Sequence, residues 1–350
     1  MLGAKELVGL DIGTSSIKMV EIKDSRHGYI LSKFGVAPLP PGVIVEGKVV
    51  DRAAVVEALK RLQGGLGFKG RGVATCIPSR SVIIKKIILP SMTELELEEQ
   101  IPYEAEQHIP FPITECFLDY QPLGSPVGQE DQMEVLLVAA KKDYVEDHRA
   151  LIKEAGLNCI AVDVDVFALE NIYEANYELS EEDVVALIDV GAGVMKVNIL
   201  TAGVTSFSRD VPVGGLAMTE GIQRRWNLTL EEAEGLKQGH LPAGIDPQEV
   251  QDFFYNEALA LVGEVENSFE FFLATPYGRQ VNKIFLSGGA AKTPGLMEIT
   301  AERTGASVDM LNPFKQIAWD KKVYKPDYLS SMAPLIAGGA GLAVRRRQES

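Results

Sequence analysis

The chain has 350 residues, 46% of them apolar and 24% charged, the composition of a soluble globular protein large enough for two or three domains. A formal charge of −15 at pH 7 argues against nucleic acid, whose phosphates call for basic patches, and against direct docking on an anionic bilayer. The three cysteines, Cys76, Cys116 and Cys159, are far apart and odd in number, which excludes a disulfide framework and suits a reducing cytosol.

Neither these cysteines nor the scattered histidines have metal-ligand spacing. Met1 to Val8 contains Lys5 and Glu6 and has no signal-peptide pattern. No window reaches the roughly 18 apolar residues of a membrane span.

Val8 to Ile22 alternates apolar and polar residues into and out of a tight Asp11-Ile12-Gly13-Thr14-Ser15-Ser16 turn, which predicts a β-hairpin with a small polar tip. Gly13 lets that tip wrap an anion closely. The hydroxyls of Thr14, Ser15 and Ser16 supply donors and Lys18 a positive charge. Asp11 would repel a phosphate, and makes sense with a divalent cation between the two. Tyr29 to Ala37 reads as a further strand. Asp51 to Leu62 reads as a helix with Asp51 as N-cap and Gly64-Gly65 as the stop, and Arg71 to Pro78 as a short strand.

Near Pro78 the pattern changes. Ser81 to Leu89 is a strongly apolar strand closed by Pro90, with Lys85 and Lys86 interrupting it. Thr93 to His108 is a helix with Thr93 and Glu96 as a capping box; Pro102 implies a kink or break. Six glutamates and no Lys or Arg mark this helix as a solvated face. Ile109 to Pro112 is a turn. Phe117 to Leu123 and Glu134 to Ala140 are strands joined by a loop at Gly124 to Gln129, and Lys142 to Ala155 is a helix stopped by Gly156. Residues 79–162 therefore read as a small inserted α+β module.

Val162 to Tyr177 is predicted as a helix. Ala186 to Leu200 then repeats the first hairpin about half a chain later: Asp189 matches Asp11, Gly191 matches Gly13 and Lys196 matches Lys18. Such a repeat implies two similar domains whose phosphate-clasping hairpins face one another. Gly203 to Arg209 is a third strand. Val213-Gly214-Gly215 leads into a helix to Trp226, and Thr229 to Gln238 is a helix with a Thr229/Glu232 capping box. Gln248 to Thr275 is a long helix presenting Leu259, Val262, Val265, Phe269 and Phe272 on one face. Ile284 to Ala290 is a buried strand ending in Gly288-Gly289, a junction suited to adenosine or phosphate. Met332 to Val344 is a Gly/Ala-rich helix, and Arg345-Arg346-Arg347 would serve its C-terminal dipole.

Asp11-Ile12-Gly13-Thr14, Asp189-Val190-Gly191-Ala192-Gly193 and Ser287-Gly288-Gly289-Ala290 together resemble the phosphate and adenosine motifs of the actin, hexokinase and sugar-kinase superfamily. Val213-Gly214-Gly215 and Pro334 to Gly339 resemble its connecting segments. Further stretches are similar to the PilM family of actin-like type IV pilus assembly proteins: Leu39-Pro40-Pro41-Gly42, Leu89-Pro90-Ser91-Met92-Thr93-Glu94, Glu104 to Phe111, Asp119-Tyr120-Gln121 and Val138-Ala139-Ala140-Lys141. Unlike FtsA-type chains, this one shows no terminal linker with an amphipathic membrane helix.

The resemblance implies an α/β, actin-like (ribonuclease H-like) duplicated fold. Residues 1–78, 163–182 and 332–350 would form the first domain, 79–162 the inserted subdomain and 183–331 the second domain. It implies Mg-ATP, with Asp11 and Asp189 holding Mg²⁺ mostly through water. Gly13, Thr14, Ser15 and Lys18 would line the phosphates from one side, and Gly191, Ala192, Gly193, Gly214 and Gly215 from the other. Glu234, Lys237, Gly288, Gly289 and Ala290 would approach ribose and base. Asp163 or Asp165 would position water if ATP is hydrolysed; Lys196 is left as structural.

The implied role is a cytoplasmic ATP-binding scaffold at the inner face of the membrane. It would be recruited by the extended cytoplasmic tail of a PilN-like membrane protein, with no membrane insertion of its own. Ile84, Ile109, Phe111 and Phe117 are candidates for the tail's pockets. The alternatives are an FtsA-like self-associating filament protein and a small-molecule kinase; no polar cluster suited to a kinase's second substrate is evident in the sequence.

Overall fold

The computed structural model describes residues 7–126 and 128–345; Lys5, Glu6, Arg346 and Arg347, named above, lie outside them. Strands β1 (Val8–Ile12) and β2 (Ser16–Ser25) form the first hairpin, with Asp11 directly opposite Lys18. β3 (Gly28–Pro38) pairs antiparallel with β2. A two-residue-stranded hairpin, β4 (Ile44–Val45) and β5 (Lys48–Val49), precedes helix α1 (Arg52–Leu66). Asp51 caps α1 by accepting from the Ala54 N–H at 3.0 Å. Gly64 and Gly65 lie inside α1, not at its end. The stop is Gly67, whose φ of 72° lets its N–H fold back onto the last turn. β6 (Gly72–Ile77) runs parallel to β1.

β7 (Val82–Pro90), α2 (Glu94–His108), β8 (Cys116–Gly124) and β9 (Gln132–Lys141) form the insert. Its sheet is antiparallel in the order β7-β9-β8, so β7 and β8 are its edges. Leu97, Ile101 and Ala105 of α2 bury one face of it against Ile87, Leu89, Val135 and Leu137. The Thr93/Glu96 capping box forms, and Pro102 sits within α2 without ending it.

α3 (Lys142–Glu154) and β10 (Asn158–Val164) correct the expected boundary of the insert. β10 pairs in parallel with β6, and α3 packs against α1. Residues 142–162 thus complete the first domain, and the insert closes near Lys141. Because Val162–Val164 finish β10, the next helix, α4 (Asp165–Glu174), starts later than expected.

The second domain repeats the plan. β11 (Val184–Val190), β12 (Met195–Thr201) and β13 (Val204–Val211) form a meander. α5 (Gly215–Trp226), α6 (Leu230–Lys237) and α7 (Pro247–Leu273) follow. β14 (Lys283–Ser287) returns parallel to β11, and α8 (Leu296–Thr304) leads to β15 (Ser307–Met310). The sheets read β10-β6-β1-β2-β3-β16 and β13-β12-β11-β14-β15, the same meander-plus-parallel order in each half.

β16 (Ala318–Trp319) pairs with β3, so the chain has rejoined the first sheet well before the expected return at 332. The final helix, α9 (Pro326–Val344), likewise begins before Met332. It packs on β1, β2 and α4 at backbone distance: a Cβ on Gly341 would collide with the Ala168 carbonyl, and one on Gly9 with that of Gly339.

Candidate functional site

The two hairpin tips share one geometry. Gly13 N–H donates to the Ser16 carbonyl and Gly191 N–H to that of Val194, each at 3.0 Å. They meet across a cleft: a Cβ built on Gly193 would lie 3.2 Å from the Thr14 side chain. The N-terminus of α5 closes one wall, with Gly215 N–H on the Gly191 carbonyl at 3.0 Å and Leu216 N–H on that of Ala192 at 2.8 Å. Gly214 does not line the cavity but makes this approach feasible, since a Cβ there would sit 2.7 Å from the Ala192 oxygen. Gly288, at φ 91°, turns the end of β14 against Val190 and takes a bond from its own N–H to the Pro334 carbonyl at 2.9 Å.

The cleft so formed is about 850 Å³. It is lined by Asp11, Gly13, Thr14, Ser15 and Lys18 on one side and by Asp189, Gly191, Ala192, Gly193 and Gly215 on the other. Glu234, Lys237, Gly288, Gly289 and Ala290 line its far end. There Lys237 donates to Glu234 at 3.0 Å, to the Gly215 carbonyl at 3.0 Å and to Thr219 at 2.9 Å, which fixes α6 to the start of α5.

The charges on the cleft floor are paired across elements. Lys18 sits 3.1 Å from Asp11 within its own hairpin. Its counterpart Lys196 reaches further, to Asp165 at 3.0 Å and Asp189 at 3.5 Å. Burial pulls the Lys196 ammonium down, but Asp165, Asp189 and Asp11 outweigh it and hold the pKa well above the usual lysine value. Lys196, expected to be structural, is the cation that ties α4 to the second hairpin at the bottom of the cleft. Ser287 donates to Asp189 at 3.1 Å, fixing that carboxylate.

Asp165 lies in the cleft and Asp163 does not. Asp163 is held behind it by Arg345 Nε at 2.7 Å, so Arg345, the residue that ends α9, also serves an ion pair. Burial pushes the Asp163 carboxyl up in spite of Arg345. It likewise pushes Asp165 up against the pull of Lys196.

Among the described residues no group of three or more His, Cys, Asp or Glu side chains could cage a metal. Asp11 and Asp189, one from each hairpin, instead suit a hard cation such as Mg²⁺ that takes its remaining ligands from water and phosphate.

Polar groups not expected at the site also line this cavity: Cys76, Arg80, Tyr144, His148 and Asp210. Ser79 links several of these parts, donating its N–H to Asp165 at 3.0 Å and its hydroxyl to Asp210 at 2.6 Å. His148 contacts Thr75 at 3.0 Å, and burial lowers its pKa to about 4. The readable signal was position: Cys76 to Arg80 run over the C-terminal end of β6, a strand parallel to β1, where open α/β sheets place ligands.

The insert residues are separate from this cleft. Ile109 is 5% exposed and part of the insert's own core, which corrects its assignment as a pocket residue. Phe111 packs against the same core beneath Lys141, 4.9 Å from its ring. Phe117 is 42% exposed and Ile84 half-buried. β7 is not a free edge along its whole length: Lys86 donates to Ser206 of β13 at 3.4 Å and lies 4.5 Å from the Tyr277 ring of the second domain.

Comparison with known proteins bears on the same architecture. The family model described as type IV pilus assembly protein PilM matches residues 9–347. The structure solved as the PilM-PilN type IV pilus biogenesis complex is 30% identical, covers 97% of this chain and 98% of its own, and superposes with a TM-score of 0.82. MreB5 of Spiroplasma citri bound to AMPPNP is 15% identical over 96% of this chain and 95% of its own, with a TM-score of 0.52, a likeness of fold alone. Among curated proteins, the cell division protein FtsA of Bacillus subtilis is 22% identical over 96% of this chain and 82% of its own length.

Proposed function

The chain belongs to the type IV pilus assembly protein PilM family, and from that premise we propose that it is a cytoplasmic Mg-ATP-binding scaffold that holds the cytoplasmic tail of a PilN-like membrane protein. The observation that carries the nucleotide half is the pair of facing hairpins, each offering an aspartate opposite a lysine. In that reading Asp11 and Asp189 hold Mg²⁺, which shields the phosphates from both carboxylates. The tip N–H groups that the two turns leave free, with the hydroxyls of Thr14 and Ser15, donate to phosphate oxygens. Glu234, Lys237, Gly288, Gly289 and Ala290 surround the nucleoside. Titration calorimetry with Mg-ATP tests it: Asp11→Ala weakens binding, and equal affinity in mutant and wild type overturns the reading. The nucleotide acts mainly to fix the angle between the halves, so steady-state turnover stays far below the order of 10 s⁻¹ of ordinary enzymes.

The partner half draws on the solved PilM-PilN complex and on the insert, whose edge strand β8 and the part of β7 clear of the second domain can accept an extended peptide. The six glutamates of α2 favour a tail with Lys or Arg beside its apolar anchors. A synthetic tail of the PilN-like partner binds the full chain; Ile84→Glu or Phe117→Glu abolishes this and leaves Mg-ATP binding intact. Tail binding unaffected by both substitutions moves the site elsewhere.

A further inference from the structure

Nearly every cation lining the cleft is already answered. Lys18 faces Asp11, Lys196 faces Asp165 and Asp189, Lys237 faces Glu234, and Lys292 donates to the Ser331 carbonyl. Arg80 is different. It lines the cleft and is exposed, and among the described residues its guanidinium has neither a carboxylate nor a hydrogen-bond partner. It sits in the short turn Ser79–Ser81 between β6 and β7. The residue before it is fixed to the cleft floor through Asp165 and Asp210. Its guanidinium lies against the β4–β5 turn, where a Cβ on Gly47 would come within 2.6 Å of Nη2.

Arg80 also borders a second cavity, of about 290 Å³, between the edge strands β7 and β13, lined by Val82, Ile83, Ile84, Ser208 and Asp210. One side chain therefore forms part of the wall between the nucleotide cleft and the root of the insert.

We propose that Arg80 reads the terminal phosphate of the bound nucleotide and passes its presence to the insert subdomain. The inference rests on the nucleotide reading above and goes beyond it by naming the residue that tells ATP from ADP. A guanidinium presents a planar fork of donors that matches two phosphate oxygens. Lys18, Lys196 and Lys237 are already paired with carboxylates and Lys292 is held by the Ser331 carbonyl, so among the described residues of the cleft the added charge of a third phosphate acts most strongly on Arg80. When Arg80 turns toward that phosphate it leaves the β7–β13 cavity. Because β7 begins at Val82, two residues on, the shift bears on the first residues of that strand. Coupling of this kind is reciprocal, so a ligand on the insert would change the preference for ATP by the same factor.

The test uses the full chain as wild type, Arg80→Ala and Arg80→Lys. Calorimetry with Mg-ATP and Mg-ADP gives the ratio of affinities, and amide hydrogen exchange at Val82 to Ile84 is measured with each nucleotide. The wild type prefers ATP. Arg80→Ala loses roughly ten- to hundredfold in ATP affinity, the range for removing a charged donor, with ADP affinity unchanged, which also shows that the variant is folded. Arg80→Lys, which keeps the charge without the fork, falls between. Exchange at Val82 to Ile84 differs between ATP and ADP in the wild type and not in Arg80→Ala. The inference is overturned if Arg80→Ala keeps the wild-type ratio, or if it weakens both nucleotides equally. A wild type that binds neither nucleotide is a different result, and removes the nucleotide reading itself.

Discussion

Glu170 provides a stability test that depends on the seam between the two domains. It lies on α4 and accepts a hydrogen bond from Thr205 Oγ1 on β13. Thr205 in turn accepts from Asn198 Nδ2 at 3.0 Å, and the same amide contacts the Val166 carbonyl at 3.4 Å. Burial raises the Glu170 pKa from 4.5 to about 7, against the opposing pull of Thr205. The unfolded chain therefore releases this proton near 4.5 and the folded chain only near 7. The contribution to stability is full below 4.5 and is lost as pH rises through 7. At 1.36 kcal/mol per pKa unit, the loss amounts to about 3 kcal/mol between pH 4.5 and pH 8.

Glu170→Gln retains an acceptor for Thr205 and cannot titrate. Urea unfolding of both proteins across this range gives a stability difference in which all other titrating groups cancel. The variant gains about 3 kcal/mol on the wild type from pH 4.5 to pH 8. A difference that does not change with pH refutes the argument.

His148 gives the opposite slope: its pKa is lowered to about 4 by burial, so wild-type stability falls by about 3 kcal/mol as pH drops from 6.5 to 4, and His148→Gln flattens that acid limb in a urea titration. Lys196→Met strands Asp165 and Asp189 without their cation; unfolding measurements register a loss of roughly 3 kcal/mol, recovered in part by also replacing Asp165 with Asn. Gly341→Ala drives a methyl into the Ala168 carbonyl; it lowers the thermal midpoint, with a cost of about 1–3 kcal/mol, whereas Gly64→Ala, at an open helical position, raises it.

What the sequence determined by itself is local. The Asp-x-Gly turn with a lysine opposite the aspartate is a hairpin register, encoded within a dozen residues, and both copies fold as read. The Thr93/Glu96 and Thr229/Glu232 capping boxes are satisfied between a residue and its neighbour three positions on. The duplication, and with it the two-domain plan, follows from repeating such a unit.

The tertiary structure decided what depends on long-range pairing. β10 joins β6 across the whole insert, and β16 joins β3 across most of the chain. Parallel pairing of that kind leaves no turn in the sequence to mark it, so the insert and the second domain end earlier than the expected 162 and 331. Asp163 and Asp165 look equivalent in sequence. One ends a strand and meets Arg345, and the other starts a helix and meets Lys196. Lys18 and Lys196 are matched by the repeat, yet among the described residues only Lys196 has a carboxylate from the other domain within reach. Side-chain partners at that distance are fixed by the packing of one half against the other, which no local pattern records.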